Sequence, residues 1–229
     1  MSEYLRRVFR ATEAENRRTI LGLVPRTPGG RLLDLGAGDG RFSSRLAQTA
    51  GAAEVVGVEL VPERAAEARR HGIDVVEADL EQRLPFEDGS FDLIHANQVI
   101  EHLRGTDAFL GEIRRLLAPG GSVVLSTNNL SSWHNVLSLA AGLQPPPAHV
   151  SDQVIVGNPL NPEDGASHEE GRSHLRLFTA RALTELCAHH GLRCVEVRTV
   201  GYYPLPPVLG RLAGRLDGRH GAFLTGVFA

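Results

Sequence analysis

One stretch of the chain decides the fold: Leu32-Leu33-Asp34-Leu35-Gly36-Ala37-Gly38-Asp39-Gly40-Arg41-Phe42. An apolar run ends there in a turn in which every second residue is glycine. Because glycine lacks a Cβ atom, such a turn lets the backbone approach a bound ligand closely. The stretch therefore predicts a buried strand, then a ligand-binding turn, then the start of a helix.

The spacing G-x-G-x-G distinguishes this turn from two related ones. Dinucleotide-binding turns usually have the spacing G-x-G-x-x-G, and phosphate-binding P-loops end in Gly-Lys followed by Ser or Thr. No lysine follows the glycines in this chain. Asp34 lies shortly before the first glycine, where a carboxylate stabilises a positively charged ligand and repels a pyrophosphate. S-adenosylmethionine is a ligand with the required charge.

With Asp34, Gly36, Gly38 and Gly40, the chain resembles the class I S-adenosylmethionine-dependent methyltransferases, whose motif is D-x-G-x-G-x-G. A second segment, Leu84–Ile94, has the sequence LPFEDGSFDLI. It is similar to the ubiquinone/menaquinone-biosynthesis-type methyltransferases of the type 11 group. The resemblance implies S-adenosylmethionine as the cofactor and S-adenosylhomocysteine as its product.

The resemblance covers Arg31 to Thr127 and implies an α/β fold. The expected fold is Rossmann-like, with a doubly wound, seven-stranded, mostly parallel sheet, an antiparallel last strand, an N-terminal helix and a cap inserted after strand five. Alternation of strand and helix patterns over the same range independently predicts a parallel sheet with right-handed crossovers. We expect one domain over residues 1–229. Its parts are an N-terminal helical lid (1–24), a cofactor-binding core (31–128), a cap or substrate insertion (129–173) and a C-terminal helix-strand completion (174–229).

Sequence patterns also predict the individual elements. The predicted helices are Glu3–Leu23, Gly40–Ala50, Pro62–His71, Ile100–Arg104, Thr106–Leu117, Leu130–Leu143 and Ala180–His190. The segment Leu192–Val200 is predicted as the sixth strand and Ala222–Phe228 as the seventh.

Further residues are expected to bind the cofactor. Glu59 ends the second predicted strand, about 20 residues after the last glycine, which is the usual spacing for a carboxylate that binds ribose hydroxyls. The resemblance implies that Asp79 accepts a hydrogen bond from the adenine amine. The full set of expected cofactor-binding residues is Asp34, Gly36, Ala37, Gly38, Gly40, Glu59, Leu60, Asp79, Leu80, Asn97 and Gln98.

Histidines are the candidate catalytic residues. A sulfonium methyl group is already activated, so placement and desolvation supply much of the catalysis. For a hydroxyl or phenol acceptor, a base with a pKa near neutrality helps, and histidine has one. The candidates are His102 after the fourth strand, His134 in the predicted cap helix, and His174, which opens a segment similar to H-x-R-x-F-T in related methyltransferases. A structural role stays open for each.

The sequence predicts no metal site. Metal-using catechol-type methyltransferases have aspartates after strands four and five, where this chain has Asn97 and Asn128-Asn129. Hard divalent cations prefer carboxylates. The two cysteines, Cys187 and Cys194, are too few for a disulfide scaffold or a metal site, and we expect them to be packing residues.

Composition limits the partners. With 229 residues, a formal charge of −3 and a pI near 6.4, the composition argues against a broad nucleic-acid-binding surface, which would require a basic face. It has no apolar run of membrane-spanning length, and its N-terminus lacks the apolar centre of a signal peptide. We therefore expect a cytoplasmic protein, either a monomer or a homodimer, without a nucleic-acid or membrane partner.

The function predicted from these features is methyl transfer from S-adenosylmethionine to a small-molecule acceptor. Oxygen is the favoured acceptor atom, in biosynthetic or secondary metabolism, and N- or C-methylation is the alternative. A nicotinamide-dependent oxidoreductase is a second alternative, since Glu59 would serve its ribose equally well, but Asp34 and the glycine spacing oppose it. A third alternative is a noncatalytic module that binds the same cofactor.

Overall fold

Seven strands form the centre of the molecule. The computed structural model describes residues 3–151, 153–161 and 173–229. The strands are β1 Arg31–Leu35, β2 Glu54–Val58, β3 Asp74–Val76, β4 Phe91–Asn97, β5 Leu117–Asn128, β6 Cys194–Val200 and β7 Phe223–Phe228. They form one sheet in the order β3-β2-β1-β4-β5-β7-β6.

The directions of the strands confirm the predicted fold. Strands β1 to β5 pair with their neighbours in parallel, and β7 pairs antiparallel with both β5 and β6. The strand order reverses between β1 and β4, which are hydrogen-bonded neighbours. In doubly wound sheets, ligands bind outside the carboxyl ends of the strands at such a reversal. The glycine turn follows β1 at this place.

Seven α-helices surround the sheet in the described part of the chain. They are α1 Glu3–Leu23, α2 Arg41–Ala50, α3 Pro62–Arg70, α4 Thr106–Leu116, α5 Trp133–Ala140, α6 Ala180–His189 and α7 Pro207–Leu216. Five of them lie within one or two residues of a predicted helix, α5 is shorter than predicted, and α7 lies outside the predicted helices. Among these described helices, none combines the length and the apolar character that crossing a membrane requires.

Two predicted helices are wrong in extent. The helix predicted over Ile100–Arg104 is only a 3₁₀ turn at Ile100–His102. The helix predicted over Leu130–Leu143 begins at Trp133, because the Asn129 side chain accepts hydrogen bonds from the backbone N–H and hydroxyl of Ser131 and holds a non-helical turn there.

The two faces of the sheet carry different helices. Successive residues of a strand point to opposite faces. Leu33 and Leu35 lie in the larger core cluster with side chains of α4 and α6, whereas Leu32 lies in a second cluster with side chains of α1 and α2. Asp34 alternates with Leu33 and Leu35, so its side chain points towards α2.

The segment after β5 is fixed at its start. Asn129 is fully buried, and its side-chain amide donates hydrogen bonds to the backbone oxygens of Arg219 and Gly221. Of the predicted cap (129–173), the described part contains α5 and the mainly irregular chain that follows it. Residues 152 and 162–172 of the prediction lie outside the described residues, and the division into lid, core and cap stays a prediction.

Candidate active site

The glycine turn after β1 is closely packed at two of its glycines and open to a ligand at the third. Gly36, Gly38 and Gly40 all have positive φ angles, of 78°, 57° and 77°. A Cβ on Gly36 would lie 2.6 Å from Cγ2 of Val99, and one on Gly40 would lie 2.9 Å from Cα of Ala68. A Cβ on Gly38 would have no atom of the described residues within 4 Å. Gly36 and Gly40 therefore allow close packing, while Gly38 borders open space in which a ligand can approach the backbone.

Glu59 holds this turn from the end of the neighbouring strand β2. Its Oε2 accepts a hydrogen bond from the N–H of Gly38 at 2.9 Å, and its Oε1 accepts one from the N–H of Val61 at 2.9 Å. A carboxylate oxygen has a second lone pair, so both oxygens can still accept a bond from a ligand hydroxyl. The position beside Gly38 suits the predicted ribose contact, which stays a prediction.

Asp34 lies beneath the turn rather than on its open side. The residue is 3% exposed. The Ser43 hydroxyl of α2 donates to its Oδ2 at 2.5 Å, and Nδ1 of His95 on β4 lies 2.7 Å from its Oδ1. Both oxygens therefore connect β1 with α2 and β4, and the expected role of Asp34 in binding the positively charged cofactor stays a prediction.

The expected adenine-binding residues lie at the ends of β2 and β3. Leu60 is 63% exposed directly after Glu59, and Leu80 is partly buried. An exposed leucine at the carboxyl end of a parallel strand offers an apolar surface to a flat ring. Asp79 accepts a hydrogen bond from the N–H of Glu81 at 2.9 Å, which fixes the turn that carries it. Their contact with adenine stays a prediction.

Residues after β4 show a second sign of a binding site. Asn97 accepts a hydrogen bond at 3.1 Å from Nδ2 of Asn16 in α1. Gln98 has a φ of 56°, unusual for a residue other than glycine, and its N–H donates to Ser126 at 2.8 Å. Its Nε2 is buried without a hydrogen-bond partner in the described part of the chain. Strained backbone and unpaired buried donors are concentrated at functional sites.

A polar cluster follows directly. It contains Glu101 and His102 of the 3₁₀ turn and His174, which precedes α6. The rings of His102 and His174 are 4.9 Å apart between centroids, and His149 stacks on His174 at 4.6 Å. The N–H groups of Leu175 and Arg176 both donate to the backbone oxygen of Glu101, at 2.7 and 3.0 Å. Backbone bonds therefore join two distant segments of the chain at this cluster.

Glu101 is the buried member of the cluster. It is 1% exposed. Its Oε2 accepts a hydrogen bond from the hydroxyl of Thr127 at 2.8 Å, whereas its Oε1 is buried with no partner among the described residues. Burial raises the pKa of Glu101 to about 7. Glu101 is not among the site residues predicted from the sequence, although its place beside His102 shortly after β4 was a usable signal.

The structure brings His102 and His174 together and places His134 in a different setting. The His134 ring lies 5.5 Å from the ring of Tyr203, and its Nε2 lies 3.4 Å from the Ser132 hydroxyl. Burial lowers the pKa of His134 to about 4, so this ring is neutral at physiological pH. Of the three predicted catalytic histidines, only His102 and His174 therefore share a site in the described structure.

Comparison with known proteins identifies the family. A family model described as a methyltransferase domain matches residues 4–197. The chain belongs to this family of methyltransferase domains. This confirms the resemblance carried by Asp34 and the three glycines, with S-adenosylmethionine as the family's cofactor, and it disfavours the nicotinamide-dependent alternative.

Individual relatives agree with this assignment. A ubiquinone biosynthesis O-methyltransferase of Xanthomonas oryzae pv. oryzae is 36% identical over 107 residues, 44% of this chain and 44% of that protein. A demethylmenaquinone methyltransferase of Thermus thermophilus is 40% identical over 101 residues, 42% of this chain and 46% of that protein. The chain thus spans less than half the length of these two relatives.

Solved structures share the fold. The crystal structure of an S-adenosylmethionine dependent methyltransferase from Mesorhizobium loti superposes with a TM-score of 0.61. It is 18% identical and covers 92% of this chain and 95% of its own. At this identity the similarity establishes the seven-stranded fold alone.

Proposed function

We propose that the chain transfers a methyl group from S-adenosylmethionine to an oxygen of a small-molecule acceptor. One observation carries the proposal. The open glycine turn follows β1, and the cluster of Glu101, His102 and His174 follows β4, the hydrogen-bonded neighbour of β1. We call the glycine turn the cofactor half-site and the cluster of Glu101, His102 and His174 the polar half-site. Both lie at the carboxyl ends of adjacent strands, where this sheet order favours ligand binding.

Each half-site has a defined task in this proposal. When bound, the cofactor supplies an activated methyl group. The backbone around Gly38 and the carboxylate of Glu59 position the cofactor, and the side chains of Leu60 and Leu80 cover its adenine. Holding the acceptor oxygen in line with the methyl group supplies much of the rate enhancement, because orientation alone can lower a barrier by about 7–11 kcal/mol.

Two considerations support oxygen as the acceptor atom. The Xanthomonas relative is named an O-methyltransferase of ubiquinone biosynthesis. In this chain, the polar half-site contains a carboxylate and imidazoles, groups that accept a hydrogen bond from a hydroxyl and remove its proton. A phenol or quinol is the acceptor class that agrees with both the named relative and the basic groups of the polar half-site.

The first experiment compares two glycine variants. Gly38 and Gly29 both have positive φ angles, of 57° and 74°, and within the described part of the chain neither would place a Cβ within 4 Å of another atom. Gly29 lies in the turn before β1, at the opposite end of that strand. Gly38→Ala and Gly29→Ala therefore carry a similar backbone cost of about 1–2 kcal/mol, while only Gly38→Ala adds an atom in the proposed cofactor space.

Calorimetric titration with S-adenosylmethionine, S-adenosylhomocysteine and NAD measures the difference. We expect both methionine-derived ligands to bind the unchanged protein and Gly29→Ala. Gly38→Ala should weaken their binding by about 100-fold, or 2.7 kcal/mol. Binding of NAD alone, or equal affinities in the two variants, would refute the proposed cofactor site.

Turnover then tests the acceptor. The protein is incubated with labelled cofactor and a panel of phenols, quinols, carboxylic acids and amines, and the methylated atom is assigned by mass spectrometry and NMR. A product methylated on oxygen supports the proposal. A product methylated on nitrogen or carbon would overturn the assignment to oxygen, and cofactor binding without turnover of any acceptor would favour the noncatalytic module.

A further inference from the structure

The cluster after β4 contains the donor set of a metal site. One ligand atom from each of Glu101, His102 and His174 lies within 4.8 Å of those of the other two. Two imidazoles and one carboxylate form the donor set that borderline-soft divalent transition metals prefer in proteins. We propose that these three residues bind a divalent transition-metal ion of the Zn²⁺, Co²⁺ or Fe²⁺ type.

The hydrogen bonds of both histidines orient them for this role. Nδ1 of His102 lies 3.2 Å from the backbone oxygen of Ser173, and Nδ1 of His174 lies 3.1 Å from that of Pro147. Because a carbonyl oxygen only accepts, Nδ1 carries the proton in each neutral ring, and the lone pair is on Nε2. Metal-binding histidines are typically fixed by such a bond from the other ring nitrogen.

The neighbours of His174 are compatible with binding through Nε2. Asn128 places its Nδ2 3.4 Å from Nε2 of His174, a long contact that a metal–nitrogen bond would replace. His149 accepts a hydrogen bond from the N–H of His174 at 3.1 Å through its Nδ1, and its ring stacks on that of His174 at an angle of 10°. These contacts hold the His174 ring in place.

The carboxylate provides an independent sign of a missing ligand. Oε1 of Glu101 is buried without a hydrogen-bond partner in the described structure, whereas Oε2 is fixed by Thr127. A buried acceptor left unsatisfied costs about 1–3 kcal/mol, more when it is charged. A cation beside Oε1 would remove this cost, and the fixed Oε2 would orient the carboxylate towards it.

The site also explains why the sequence predicts no metal. That prediction considers the carboxyl ends of β4 and β5, where the chain has the asparagines Asn97 and Asn128. The proposed ligands come from the 3₁₀ turn beyond β4 and from the segment before α6. They meet through the backbone bonds between Glu101 and the two residues after His174.

A bound ion would deepen the proposed function, on which this step rests, and its activation of the hydroxyl would replace proton removal by the side chains that bind it. Three protein ligands leave coordination positions for an acceptor oxygen, as in catalytic zinc sites. An ion there would lower the pKa of a bound hydroxyl and orient its oxygen. The proton would leave the hydroxyl to solvent, and the oxygen would form the bond to the methyl carbon as the bond from carbon to sulfur breaks.

Metal binding is tested without reference to activity. The protein is treated with a chelator, dialysed, and titrated with Co²⁺, Zn²⁺ and Mg²⁺ by calorimetry, with the visible absorption of Co²⁺ as a second readout. We expect a single Co²⁺ or Zn²⁺ per chain, and weak or no binding of Mg²⁺, which prefers oxygen ligands.

Three variants assign the site. Glu101→Gln and His174→Ala should each weaken Co²⁺ binding by about 100-fold, because loss of an outer-shell partner alone typically costs 10–100-fold. His190→Ala is the control, since His190 lies beside His189 and pairs with Asp107 on the surface, where a weak adventitious site could form. It should leave Co²⁺ binding unchanged.

Stability and turnover separate the remaining explanations. Glu101→Gln removes a buried charge and keeps an oxygen for Thr127, so the melting temperature of its metal-free form should be equal to or above that of the unchanged protein. Absence of Co²⁺ binding, or equal binding by Glu101→Gln, would overturn the metal site while leaving the cofactor titration intact. Full turnover by the chelator-treated protein would overturn a role of the metal ion in acceptor activation. If the protein binds Co²⁺ but no cofactor, only the proposed function is refuted.

Discussion

At the scale of single residues, Asp34 shows how position changes the role of a motif residue. The carboxylate lies at the end of β1, but Ser43 and His95 occupy its two oxygens below the glycine turn. Its contribution is to fix α2 and β4 against that turn. The charge that the motif supplies is therefore used inside the protein, and the open side of the turn is formed by the backbone at Gly38.

This arrangement predicts a loss of stability when Asp34 is removed. Asp34→Ala leaves the hydroxyl of Ser43 and Nδ1 of His95 without their acceptor, so the free energy of unfolding should fall by about 2–4 kcal/mol. Asp34→Asn keeps one acceptor oxygen and an amide that can donate to Ser43, so its loss should be only about 1 kcal/mol. Urea denaturation measures both. Unchanged stability of Asp34→Ala together with lost cofactor affinity would instead show a direct contact with the ligand.

At the scale of elements, the buried side chain of Asn16 adds hydrogen bonds to the apolar contacts that pack α1 against the sheet. Asn16 is 2% exposed. Its Nδ2 donates to Asn97 and to Ser126, both at 3.1 Å, and its Oδ1 accepts from Thr225 at 3.2 Å. The Asn16 side chain therefore hydrogen-bonds the helix predicted to act as a lid to β4, β5 and β7.

Removal of this attachment should loosen α1 and release the cofactor faster. Asn16→Ala leaves the hydroxyls of Ser126 and Thr225 with fewer partners, and we expect amide hydrogens of α1 to exchange faster. The dissociation rate of S-adenosylhomocysteine should rise about tenfold, which corresponds to the net loss of one or two hydrogen bonds. Hydrogen exchange and stopped-flow dissociation measure the two effects. The control is Arg17→Ala, at an exposed neighbouring position on the same helix. An equal increase of the dissociation rate in both variants would contradict the prediction that α1 acts as a lid.

Local patterns were sufficient to predict the elements but not all of their ends. The apolar run and the glycine turn that follows it predicted the start of the sheet correctly, and the apolar segment at Ala222–Phe228 predicted β7. The start of α5 at Trp133 depends on the Asn129 side chain, which is itself held by Arg219 and Gly221. Such a contact between distant segments leaves no periodic pattern in the sequence.

The same limit applies to the candidate site. The sequence indicated His102 and His174 separately, each by its place in a short motif. Their contact depends on the backbone bonds between Glu101 and the segment that carries His174, which only the folded chain reveals. His134, in contrast to His102 and His174, lies outside the cluster and is buried beside Tyr203. This position depends on packing between α5 and the chain before α7, which the sequence pattern does not show.

At the scale of the whole molecule, cofactor binding should be measurable as stability. A ligand that binds only the folded state stabilises it by about 2.7 kcal/mol at 100 times its Kd. For a chain of this size, each kcal/mol raises the melting temperature by about 2–4 °C, so S-adenosylhomocysteine should raise it by about 5–10 °C. Differential scanning fluorimetry tests this. Gly29→Ala should show the full increase and Gly38→Ala nearly none, because only the latter closes the space over the turn. An equal increase in both variants would show that the ligand stabilises the protein from another site.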